Sequence, residues 1–172
     1  MIAYITDIEG RWDKLERSCA GNPHITLQDG ALGLAPGVTF VFGGDAVDRG
    51  PAGRRIVATL LAAKRRYGER VVLLAGNRDI NKLRLHRELA GHPPPGAPPA
   101  LHGDRPALLR WILGHTMGAR DAFAHLAAEL RAEGAPADDE DVVRSFAADM
   151  APGGLLAEYL RSACLAHRAG QT

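Results

Sequence analysis

Three short apolar runs, IAYIT at residues 2–6, VTFVF at 38–42 and VVLLA at 71–75, constrain this chain more than any other feature. Each is rich in β-branched and aromatic side chains and stops at a glycine or an acid, the pattern of buried strands in an α/β sheet. The stretches between them have helical spacing instead. Trp12, Leu15 and Cys19 share one face over 10–20, and Ile56, Leu60 and Ala63 share another over 54–66. Pro51 stands where a first-turn proline is tolerated. ITLQ-DG-ALGL, across 25–34, carries the Asp29-Gly30 hairpin signal. This alternation up to residue 90 predicts an α/β fold of layered βαβ type.

Beyond residue 90 the pattern changes. Residues 91–106 form a proline-rich stretch that reads as an extended, exposed loop. Helical patterns then occupy 105–117, 119–133, 139–149 and 154–168, with apolar stripes from Leu108, Ile112, Leu155, Leu156, Tyr159 and Leu160. The run Asp138-Asp139-Glu140-Asp141 is expected to cap the third of these helices, because carboxylates favour a helix N-terminus. The expected organisation is one domain over 1–172: a motif-bearing α/β core (1–90), the loop (91–106) and a helical segment (107–170). At 172 residues such a domain buries an ordinary core. A net charge of +1 gives no reason to expect nucleic acid or a membrane surface as partner. Cys19 and Cys164 form no CxxC pattern, and MIAYITDIEG has no basic n-region, so a reduced, cytoplasmic chain is the expectation.

The chemistry gathers where the strands end. They run into Asp7-Ile8-Glu9, Gly43-Gly44-Asp45-Ala46-Val47-Asp48-Arg49-Gly50 and Gly76-Asn77-Arg78-Asp79. Ligand sites of such sheets lie just beyond the carboxyl ends of the strands, so Asp7, Glu9, Asp45 and Asn77 are expected in one crevice. Hard oxygen donors of this kind suit divalent cations, which would also offset the repulsion among the acids. The glycines keep the turns tight and leave room beside the backbone for a phosphate or a metal.

In this order the motifs D-x-E, GGDAVDRG and GNRD resemble the calcineurin-like metallophosphoesterase superfamily, with D-x-H, GD-x-x-D-R-G and GNH-D/E motifs. The Asp-Arg-Gly is closest in style to the phosphoprotein-phosphatase and diadenosine-tetraphosphatase branch. TDIEGRWD and GNRDINKLRL also resemble a subgroup with Glu in the first motif and Arg in the third. The resemblance implies a β-sandwich flanked by helices, with the C-terminal strands expected to be lacking here and a helical insertion after residue 90. It implies two metal ions at the strand ends, with Asp7, Glu9, Asp45 and Asn77 as ligands. Arg49 would grip the substrate phosphate with Arg78 beside it, and Asp48, Arg49 and Arg78 would form the catalytic set. Manganese or magnesium is favoured, with iron or zinc as the other candidates.

Two departures bear on activity. Glu9 replaces a histidine ligand and shifts the preference toward harder ions. Arg78 replaces the histidine that serves as general acid, and an arginine does not donate that proton at neutral pH. Arg78 is expected to pair with Asp48. The family's later histidines are not matched: His24, His86, His92, His102, His115, His125 and His167 lack metal-like spacing, and His115 follows a helical pattern. Two functions therefore stand side by side. One is a metal-dependent phosphoesterase acting on a phosphoprotein, a dinucleoside polyphosphate or a small phosphoester. The other is a non-catalytic phosphate- or metal-binding domain. In either case a homodimer, or a complementing C-terminal segment, is expected to cover the sheet surface left open.

Overall fold

The computed structural model describes residues 1–168 and 170. Strand β1 (Ile2–Ile5) leads through α1 (Trp12–Ala20) to a hairpin of β2 (Ile25–Gln28) and β3 (Ala31–Leu34). Then come β4 (Thr39–Phe42), α2 (Gly53–Tyr67) and β5 (Val71–Leu74), followed by the short helices α3 (Asn77–Asn81) and α4 (Leu85–Glu88). The rest is helical: α5 (Arg105–Trp111), α6 (Ala122–Ala132), α7 (Asp139–Met150) and α8 (Leu155–Ser162), ending in the two-residue strand β6 (Ala163–Cys164).

The main sheet has the order β1-β4-β5-β6, with every neighbouring pair parallel, while β2 and β3 form a separate antiparallel pair. The register sets Ala3 beside Phe40, Phe40 beside Val71, and Ile5, Phe42 and Leu73 in one row. These side chains therefore share a face. They pack with Leu15 of α1, Ile56 and Leu60 of α2, and Tyr159 of α8 into one hydrophobic core. A second core joins α4 to α7 through Leu85, Leu109, Ile112, Phe123, Val143 and Phe146. This is the mixed α/β architecture, a parallel sheet with flanking helices, that the strand–helix alternation predicts.

The opposite sheet face is different. Ile2, Tyr4, Val41 and Val72 point to it, none of them belongs to either core, and Ile2 and Tyr4 are 52% and 57% exposed. The continuous apolar runs read as strands buried on both faces, yet this second face is covered only in part: Val41 and Val72 are buried on it, while its β1 edge is exposed.

An acidic side chain links the two cores. Helix α2 has no side-chain N-cap of its own. Glu129 of α6 fills the role, accepting the backbone N–H groups of Arg54 (3.1 Å) and Arg55 (2.8 Å). A carboxylate placed there satisfies two orphan donors and meets the positive end of the helix dipole. Arg54 then pairs with Asp149 of α7 at 2.5 Å.

The acidic run behaves as expected. Asp138 accepts from the Asp141 N–H (2.7 Å) and Asp141 returns the bond to the Asp138 N–H (2.9 Å), a capping box that starts α7. Two helix expectations need correction. The helix over 105–117 changes to a π-helical turn at Ile112–Thr116. The helix over 154–168 stops at Ser162, and Ala163–Cys164 pair with Leu73 and Leu74 instead. The small apolar residues after Ser162 suit either structure. The free edge of β5 decides between them, because its backbone groups need partners and Ala75 N–H donates to Cys164 O at 3.0 Å. No described helix is long and apolar enough to cross a membrane.

Candidate active site

Parallel strands in register end at one level, so the loops after β1, β4 and β5 meet there. Backbone hydrogen bonds zip the first two together: Asp7 N–H to Gly44 O (3.1 Å), Glu9 N–H to Asp45 O (2.8 Å), Gly10 N–H to Ala46 O (2.7 Å) and Arg49 N–H to Glu9 O (2.7 Å). The approach leaves no room for side chains at the crossing. A Cβ on Gly44 would strike the backbone of Gly76, and one on Gly76 would strike Asp45.

Strain concentrates here. Among the described residues five non-glycine residues have positive φ, and four of them are Asp7 (54°), Glu9 (56°), Asp45 (56°) and Asp48 (103°). The fifth, Asp29, is the hairpin turn residue the sequence singles out. Each such conformation costs on the order of 1–3 kcal/mol and persists only where the surroundings enforce it, most often at functional sites.

Asp79, the last residue of the third motif, does the enforcing. It is fully buried and accepts the N–H groups of Asp45 (2.9 Å), Ala46 (3.0 Å) and Gly76 (2.9 Å), tying the second loop to the third. Burial nevertheless pushes its carboxyl up to about 6, against the pull of these donors. Tyr159, also fully buried, donates to Leu74 O at 2.9 Å with its hydroxyl 3.5 Å from Asp79 Oδ2.

The expected site residues fall as follows. Asp7 and Asn77 are exposed at the first and third strand ends, and Asp7 Oδ2 accepts from the Thr6 hydroxyl at 2.6 Å. Asp45 lies between them, its Oδ1 accepting the Arg78 N–H at 3.1 Å. Glu9 Oε1 meets two guanidinium groups, Arg49 Nε at 3.3 Å and Arg78 Nε at 3.2 Å. Arg78 also lies 3.9 Å from Asp45 and 3.8 Å from Asp48, and donates to Gly118 O at 3.2 Å. The expected Arg78–Asp48 pair is thus present but long. The short contact to Asp48 comes from Lys82, whose fully buried ammonium lies 2.6 Å from Asp48 Oδ2. Lys82 was not anticipated. Its one sequence signal is its place four residues after Arg78, on the same side of a helical turn.

The implied metal set can be tested against these contacts. Among the described residues no group of three or more His, Cys, Asp and Glu side chains is placed to hold a metal. Asp7, Asp45 and Asn77 supply oxygen donors at adjacent loops, which fits one hard divalent cation. The Glu9–Asp48 side does not fit a second, because Arg78 and Lys82 already supply its positive charge.

The family model for calcineurin-like phosphoesterases matches residues 1–108, more than half of the chain. The chain belongs to the calcineurin-like phosphoesterase family. A Caenorhabditis elegans protein named "Putative serine/threonine-protein phosphatase" is 37% identical over 71 residues, covering 37% of this chain and 20% of that protein. The chain therefore matches only about a fifth of the length of that relative. No solved structure matches.

Proposed function

We propose that the strand-end loops form a metal-dependent phosphoesterase site that hydrolyses a phosphate ester or phosphoanhydride. The observation that carries this reading is the convergence of Asp7, Glu9, Asp45 and Asp48, all at strained backbone positions, on loops that also present Arg49. Asp7, Asp45 and Asn77 would hold a manganese or magnesium ion, which when bound supplies Lewis acidity beside the phosphoryl group. Arg49 is exposed, and its planar fork suits a phosphate. Asp48 is fixed by Lys82, and Arg78 compensates the acids around it. Phosphoryl transfer depends mainly on such positioning and charge compensation. Candidate substrates are a phosphoprotein, a dinucleoside polyphosphate or a small phosphoester.

Arg78 stands where a proton donor would, so the leaving oxygen departs unprotonated when its P–O bond breaks. With manganese, aryl phosphates are expected to turn over well ahead of alkyl phosphates, and Asp45→Asn to lower kcat/KM at least about 100-fold. Equal rates on alkyl and aryl esters, or an unaffected Asp45→Asn variant, would sink this reading. Arg78 also favours a second reading, a non-catalytic phosphate-binding domain. Phosphate binding without turnover under every metal tried would select it.

The open sheet face bears on partners. Ile2 and Tyr4 on this face, with Leu165 (80% exposed) just beyond β6, are apolar surface that a second copy or a complementing segment would cover. Sedimentation equilibrium is expected to show concentration-dependent self-association, weakened by Tyr4→Ser. A stable monomer at high concentration would count against it.

A further inference from the structure

Helix α6 reaches the second strand-end loop with two side chains one turn apart on the same face, His125 and Glu129. The Glu129 carboxylate accepts the N–H groups of Arg54 (3.1 Å) and Arg55 (2.8 Å), in the first turn of α2. His125 Nδ1 lies 3.4 Å from the carbonyl oxygen of Asp48, and since a carbonyl only accepts, Nδ1 is the donor there. Asp48 has a φ of 103°, the largest among the described non-glycine residues with positive φ. A turn of that kind persists only where its surroundings enforce it.

The other holds on this loop lie elsewhere. Asp79 fixes its entrance at Asp45 and Ala46, and the first loop takes the N–H groups of Arg49 (Glu9 O, 2.7 Å) and Ala52 (Gly10 O, 3.0 Å). Lys82 holds the Asp48 side chain and not its backbone. The exit from Asp48 into α2 faces α6 across a cavity of about 40 Å³, lined by Asp48, Arg54, His125 and Glu129 with Leu126 and Phe146. That volume holds about three waters and no substrate. Packing is interrupted there, so the hydrogen bonds of His125 and Glu129 tie the loop to α6. The same helix follows the 118–121 turn, the wall opposite Glu9, Asp48 and Arg49 of an open cleft of about 400 Å³ beside the loops. Gly118 O in that turn accepts from Arg78 at 3.2 Å. The segment after residue 90 therefore touches both Asp48 and Arg78 from outside the strand-end loops.

We propose that His125 and Glu129 are positioning residues for the Asp48-Arg49 turn, so that the helical segment sets how the site presents this turn to substrate. The inference rests on the phosphoesterase reading above and adds to it two residues that touch neither metal nor substrate. Without the two anchors, the turn has to be ordered each time a substrate binds. That cost falls equally on the bound substrate and on the transition state, so it raises KM and leaves kcat in place.

Glu129→Gln keeps the size of the side chain but offers one acceptor oxygen to two N–H groups. In two-dimensional amide NMR spectra of the full chain without metal, the Arg54 and Arg55 signals are expected to shift. Those of Asp48 and Arg49 are expected to shift with them, while Asp29 in the hairpin stays in place. With an aryl phosphate and saturating manganese, KM is expected to rise about tenfold, the effect of roughly one charge-assisted contact, with kcat within about twofold. His125→Asn keeps a donor at the δ position and is expected to retain the parent KM, whereas His125→Leu is expected to raise it. A helix cap with no further role would move Arg54 and Arg55 alone. Asp48 and Arg49 signals that stay in place in Glu129→Gln therefore overturn the proposal and leave the phosphoesterase reading standing. Equal KM values for His125→Asn and His125→Leu also overturn it, and this pair decides if Glu129→Gln does not fold. If the parent turns over no ester, the phosphoesterase reading falls, and the amide spectra of the same variants decide the positioning.

Discussion

Replacing Lys82 with methionine is expected to cost about 3–5 kcal/mol of folding stability, and adding Asp48→Asn to the same chain to restore most of it. Lys82 is fully buried and the Asp48 side chain is 2% exposed, with 2.6 Å between their charges. Removing the ammonium leaves a carboxylate out of water with Arg78 at 3.8 Å as its remaining cation, too far for a hydrogen bond. Neutralising Asp48 as well removes the unpaired charge, and methionine fills much of the lysine's volume. Urea unfolding of the two single variants and the double variant forms a thermodynamic cycle. A single variant as stable as the parent would mean that the pair carries no weight. A double variant no better than Lys82→Met would mean that the loss comes from packing and not from charge.

The second large effect is in pH. The Asp79 carboxyl titrates near 6 in the fold against a model-peptide value of 3.8, because burial disfavours its ionised form. The folded state therefore holds its proton more tightly than the unfolded chain does. The contribution is fully present below about pH 4 and is lost as pH rises to about 6, at about 1.4 kcal/mol per unit, or roughly 3 kcal/mol in all. Glu129 and Asp149 shift in the same direction, also through burial, so they add to the trend. Asp79→Asn cannot titrate, and the difference between it and the parent isolates the Asp79 share. Unfolding midpoints measured in chelator from pH 4 to pH 7 should fall more steeply for the parent. Parallel curves for the two proteins would show that Asp79 is ionised throughout.

Local sequence carries much of this fold. A strand reveals itself by a few consecutive apolar residues, so β1, β4 and β5 were visible, as were the Asp29-Gly30 turn and the Asp138 cap. The acids at the strand ends were visible for the same reason, since a motif right after a strand goes wherever the strand points. The failures are equally specific. The spacing around β6 predicts helix because Ala163 and Cys164 accept either structure, and only the edge of β5, some 90 positions earlier, selects one. The cap of α2 was out of reach because Glu129 lies 75 residues from the Arg54 N–H that it receives.

The site divides along the same line. That the loops carrying Asp7, Asp45 and Asn77 end side by side follows from the sequence, given parallel strands in register. Which cation each acid faces does not follow. The two nearest guanidinium groups on Glu9 come from different loops, Asp48 takes its ammonium from a residue 34 positions away, and the far wall of the cleft comes from the turn before α6. Residue type and spacing determine which groups reach the end of the sheet. Their pairing is a matter of a few ångströms, at which the attraction between charges in a poorly hydrated interior changes by kilocalories, and only the packed tertiary structure sets those distances.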